Sequence, residues 1–106
     1  MDWKQLIAIL QDHVGRGQVT TYRECSQWAY GHPDRGQAVT SLLQAGARNG
    51  HYELTNRVVA IDGSCGAADQ NYGQSAQLRG EGVPFVGDRV DMLNCPPVVL
   101  PARLEH

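Results

Sequence analysis

Lysine is nearly missing from this chain. Lys4 is the only one, and nine basic residues face eleven acidic ones over 106 positions, a formal charge of −2. That balance excludes a protein that gathers polyanions through a strong, diffuse positive field. The charge is uneven: residues 1–50 carry five cations and four anions, residues 51–106 four and seven. A polyanion is therefore expected to meet the first half, with a small salt-dependent component. Long apolar runs are also lacking. None approaches the about 20 residues that cross a bilayer, and no apolar stretch follows Met1-Asp2-Trp3-Lys4 as a signal peptide would require, so a cytoplasmic protein without membrane partners is expected. The three cysteines, Cys25, Cys65 and Cys95, are odd in number and form no CxxC pair, which argues against structural zinc and a disulfide framework. His13, His32 and His51 make no i, i+4 pair, so neither a metal nor another cofactor is expected. What is present, 42% apolar and 19% charged residues, suits one modest globular domain.

Trp3, Leu6, Ile7, Leu10 and Val14 recur at three- and four-residue spacing, the stripe of an amphipathic helix over residues 2–14. Gly15 and Gly17 then turn the chain. Thr21-Tyr22-Arg23-Glu24 fits a capping box for a second helix, Tyr22 to Tyr30. Gly31-His32-Pro33 stops it, and Asp34 is placed to cap a third helix with Ala38, Val39, Leu42 and Leu43 inward. Two short helices across a Gly/Pro turn are a helix-turn-helix candidate. Residues 45–52 read as loop, Arg57 to Ile61 as a β-branched strand, and Asp62-Gly63 as its hairpin turn, giving a small two-stranded wing. Residues 64–74 read as a mobile loop and Ser75 to Glu81 as a last short helix. The expected fold class is α+β, mainly helical, a winged helix-turn-helix-like domain over residues 1–92. Residues 93–106 are expected to be an irregular tail, since Pro96-Pro97 removes two backbone donors and Leu104-Glu105-His106 reads as a tag scar.

Five segments occur in the order and near the spacing of a known family: Gly15-Arg16-Gly17-Gln18-Val19-Thr20-Thr21-Tyr22, Gly31 to Val39, Arg57 to Ser64, Leu78 to Val83, and Gly87 to Asp91. Together, over roughly residues 3–92, they resemble the DNA-binding domain of alkylguanine-DNA alkyltransferases and their lone-domain relatives, the alkyltransferase-like proteins. The resemblance implies a protein that flips an O6-alkylated guanine out of a duplex. In the family a cysteine in Pro-Cys-His-Arg-Val takes the alkyl group. Here Leu54-Thr55-Asn56-Arg57-Val58 stands there. A thiol can be ionised near neutral pH, a threonine hydroxyl cannot, and the amide of Asn56 is no base. The expectation is a non-enzymatic site with a lesion pocket of Thr55, Asn56 and Val58.

For DNA contact the resemblance implies Tyr22, aligned with the tyrosine that rotates the target nucleotide. Gln37 aligns with the family's arginine finger, and Arg35 stands two residues earlier, about 200° away on a helix. Thr40 and Ser41 replace two glycines of the groove-facing helix, and Arg48 and Arg57 are available for phosphates. The expected partners are double-stranded DNA bearing alkylated guanine and repair proteins that the mark would recruit, with the chain acting as a monomer. Tyr22 packed beside its cap, Gln37 solvated and Thr55 and Asn56 satisfying backbone groups are the bland alternatives. The acidic balance and the missing arginine finger also suit a degenerate winged-helix module that binds protein. An ordinary regulator with its third helix in the major groove is the remaining alternative.

Overall fold

The computed structural model describes residues 1–103; the expected tag scar lies outside the described residues. Helix α1 spans Trp3–His13. The Asp2 carboxylate accepts the Lys4 N–H at 3.1 Å, and the Asp2 N–H donates to the Gln5 side chain at 3.2 Å, so free backbone donors at both ends of that first turn are satisfied. Leu6, Ile7, Leu10 and Val14 are buried along its inner face. Strand β1 (Thr20–Thr21) leads directly into α2 (Tyr22–Tyr30), where the Thr21 hydroxyl accepts the Glu24 N–H at 3.1 Å. Only half of the expected box forms: the Glu24 carboxylate accepts the Leu100 N–H at 3.1 Å instead. Gly31, at φ 67°, ends α2.

Helix α3 spans Gly36–Gly46, with Arg35 as its N-cap and no side-chain cap. Asp34 does not cap it: the helix starts at Gly36, which puts Arg35 and not Asp34 at the cap position, and the Arg35 N–H donates to the Ser26 hydroxyl at 2.9 Å. The expected loop after α3 is helical: a wide turn over Ala47–His51, kinked at Asn49 and Gly50, runs into α4 (Tyr52–Thr55). Strand β2 (Val58–Val59) pairs in parallel with β1, Thr20 opposite Val58 and Thr21 opposite Val59.

Among the described residues the strand pair expected across Asp62-Gly63 does not form, and β2 pairs only with β1, although Ala60 N–H donates to Ser64 O at 3.1 Å across the turn. Asp62-Gly63 makes a tight turn in which Gly63 N–H donates back to Ala60 O, and Gly63 O accepts from Val90 N–H at 2.9 Å. Gly63 sits at φ +86°, and a Cβ there would press on Val90 O, so both its left-handed backbone and its close approach require glycine. The antiparallel pair forms later, between β3 (Phe85–Val86) and β4 (Arg89–Val90) around Gly87-Asp88. The stretch expected to be a mobile loop contains helix α5 (Ala67–Tyr72), followed by α6 (Gln74–Gly80).

The β1–β2 ribbon separates two cores. Val58 joins Leu6, Leu10, Val14, Trp28, Val39 and Leu43 on one side, while Val59 joins Val19, Leu78, Val83 and Val90 on the other, as alternation along a strand requires. The tail closes the first core: Leu100 is buried in it, Val98 N–H donates to Val19 O at 2.8 Å, and the Thr20 hydroxyl donates to Val98 O at 2.8 Å. The folded unit therefore extends past residue 92, although the tail itself carries no regular element. Among the described residues no helix is long and apolar enough to cross a membrane.

Candidate functional site

Helices α3, α4 and α5 enclose a small cavity, of about 100 Å³, partly open to solvent. Its wall is made by Tyr22, Thr40, Leu43, Gln44, Thr55 and Tyr72, with Ala47, Ala67, Ala68 and Asn71 completing it. No charged side chain lines it, so a guest there would be neutral. Thr55 is buried and donates its hydroxyl to Tyr52 O at 3.3 Å. Its methyl group lies close to α3 at Gly46, where a Cβ would meet Ile7 Cδ1 at 2.8 Å and Thr55 Cγ2 at 3.4 Å. Tyr72, which lines the cavity, is backed by a stacked Tyr52, ring centroids 5.8 Å apart at 13°.

Tyr22 is the joint of the site. It lines the cavity, a groove with Gly36, Gln37, Thr40 and Ser41, and a second groove with Arg23, Pro33, Asp34, Ala60 and Ile61. Burial, followed by the neighbouring Cys25 and Cys65, pushes its phenol pKa up, so it stays a neutral donor across the physiological range. Gln37, Thr40, Ser41 and Gln44 are all exposed and recur at three- and four-residue steps, which puts them along one face of α3, and Arg48 is exposed in the wide turn that follows. Thr40 and Ser41 donate their hydroxyls back to Gly36 O and Gln37 O, leaving a smooth helix surface.

Other expected site residues lie elsewhere. Arg57 is no phosphate contact. Its guanidinium is buried, donating to both Glu81 carboxylate oxygens at 3.1 and 2.9 Å and to Val14 O at 3.2 Å. Val58 is core, and Asn56 sits behind the cavity wall, fully buried, donating to Tyr72 O at 3.0 Å and to the Gln77 side chain at 2.8 Å. Of the three expected pocket residues only Thr55 faces the cavity, because the chain dives from α4 into β2 immediately after it. Arg35 is exposed at the start of α3 and Arg48 near its end.

Behind the wall runs a polar chain. Gln77 donates to Glu53 O at 2.8 Å and to Glu81 at 3.1 Å, and Gln74, fully buried, donates to Asn56 O and Val58 O. Burial alone would push the Glu81 pKa up, but hydrogen bonds from Arg57 and Gly17, the Arg57 charge and the Gln77 bond outweigh it and hold the carboxyl below its ordinary value. All three cysteines are free thiols with raised pKa values: Cys25 is pushed up to about 12 by burial and then Glu24, Cys65 by burial and then Asp69 against Arg79, and Cys95 by burial. None is poised as a thiolate near neutral pH.

Sequence reasoning missed Gln44, Asn71, Tyr72 and Gln74. Gln44 was within reach, seven residues after Gln37 on the same helical face. The other three fall in the stretch read as a loop. No family model, curated protein or solved structure matches this chain.

Proposed function

We propose that this chain is a non-enzymatic DNA-binding protein that holds an O6-alkylated guanine, rotated out of the duplex, in the cavity beneath Tyr22, and so marks it for repair proteins. The observation that carries the reading is the position of Tyr22, between the neutral cavity and the polar face of α3. In this reading α2 and α3 are the helix-turn-helix, the β3–β4 hairpin is the wing, and the face of Gln37, Thr40 and Ser41 lies along the minor groove. Gln37 fills the gap left in the stack by hydrogen bonding, since it lacks the planar cation of an arginine. Arg23, Arg35 and Arg48, all exposed, neutralise phosphates. Thr55 touches the guest but cannot accept its alkyl group, and the protonated thiols do not replace the missing nucleophile.

Fluorescence anisotropy tests this with two short duplexes that differ only in one O6-methylguanine. The lesion duplex is expected to bind more tightly, and the logarithm of the association constant is expected to fall with the logarithm of salt at a slope of about −2 to −3, as two or three phosphate contacts imply. Equal affinity for the two duplexes at low salt would remove the lesion reading. Tyr22→Ala is expected to erase most of the preference while leaving weak, salt-sensitive binding; an unchanged preference would reduce Tyr22 to a packing residue.

A further inference from the structure

Two carboxamides converge on the cavity from different helices: Gln44 from α3 and Asn71 from α5. Among the described residues neither side chain makes a hydrogen bond, although the side-chain N–H groups of Asn56, Gln74 and Gln77 are all engaged. No carboxylate lines the cavity. A carboxamide presents one donor beside one acceptor, whereas an ionised carboxylate presents acceptors only.

That difference bears on base identity. The N1 and exocyclic N2 positions of guanine are both donors, so the matching side chain is a carboxylate. Alkylation at O6 fixes the ring in a form whose N1 has lost its proton and become an acceptor, beside the N2 donor. A carboxamide matches that altered edge with two parallel bonds, N–H to N1 and C=O from N2, and mismatches the unaltered one at N1. We infer that Gln44 and Asn71 form an edge-reading pair that faces the N1 and N2 positions, selecting purines with an acceptor at N1 beside a donor at N2 and disfavouring unmodified guanine presented by that same edge. The inference rests on the lesion reading above, and it names what in the cavity does the selecting.

The test exchanges donor for acceptor without changing shape. Gln44→Glu and Asn71→Asp each lie at exposed positions, so the fold is expected to persist, which thermal midpoints check. An added negative charge weakens every duplex, so the quantity read is the ratio of affinities for O6-methylguanine and guanine duplexes. At least one of the two variants is expected to lower that ratio by about fivefold or more, the scale of one bidentate base contact. A duplex with 2-aminopurine at the same position, which has the same N1 acceptor and N2 donor but no O6, is expected to bind the wild type better than the guanine duplex. Lesion preference in the wild type with an unchanged ratio in both variants would overturn the pair while leaving the lesion reading intact. Failure of the wild type to prefer the lesion duplex would overturn the lesion reading. The pair is then decided by titrating isotope-labelled protein with free O6-methylguanosine: shifts of the Gln44 and Asn71 side-chain amide signals support it, and unmoved signals overturn it.

Discussion

Arg57→Ala is expected to destabilise the protein by about 3–5 kcal/mol, because it strands the Glu81 carboxylate in a buried site. The two side chains are only 8% and 4% exposed and lie 2.9 Å apart. Urea unfolding followed by circular dichroism measures the loss, and a change below about 1 kcal/mol would show that the pair behaves as an exposed one. The double replacement Arg57→Met with Glu81→Leu is expected to recover much of the difference, since removing both charges leaves neither unpaired. The pH dependence has a defined sign. The folded Glu81 pKa is lowered, so its contribution is complete above the unfolded carboxylate value of about 4.3 and is lost as pH falls through the folded value. Glu81→Gln, though less stable, is expected to show a shallower loss of stability in that acid range.

The second large effect is at the other end of the chain. Leu100→Ala is expected to cost about 2–5 kcal/mol. Leu100 is 7% exposed and packs with the residues of α1, α2 and α3 in the first core. Its N–H is held by Glu24 at 3.1 Å, and the Arg103 guanidinium lies over the Trp28 ring, 5.2 Å from the centroid, while donating to Ala29 O at 2.9 Å. Leu93→Ala, by contrast, removes a side chain that is 92% exposed and is expected to change stability by no more than about 0.5 kcal/mol. Equal effects of the two substitutions would mean that the tail is not docked.

The elements that could be read from the chain are those whose determinants are local. The stripe of Leu6, Ile7 and Leu10 specifies α1, and Thr21 caps α2 where its hydroxyl and spacing predict. What escaped reading depends on distant partners. Val58–Val59 is legible as part of a β-branched strand, but its parallel pairing with Thr20–Thr21 across three intervening helices is not, and nothing near Asp62-Gly63 signals that its turn will dock on Val90 rather than lead into a partner strand. Gly50 hid the continuation of α3, since a left-handed residue at φ +93° reads as a helix end. Glycine-rich flanks hid α5 in the same way. Within the site, Tyr22, Thr40 and Thr55 line one cavity, with Gln37 and Ser41 in the adjoining groove. Arg57 was misplaced because an arginine is almost never buried unless paired, and its partner lies 24 residues downstream. The tail is irregular as its two prolines signal, but that signal does not say whether the backbone packs, and the Val19, Thr20 and Glu24 partners that dock it lie far upstream.

The proposed function has two halves, that the protein retains an alkylated base and that it does not alter it. Native mass spectrometry of the protein mixed with equimolar O6-methylguanine and guanine duplexes reads both halves of that statement together. The expected spectrum is dominated by the complex with the lesion duplex, with protein and DNA each at its unmodified mass. Protein heavier by one methyl group, or complexes with the two duplexes in equal amounts, would contradict it.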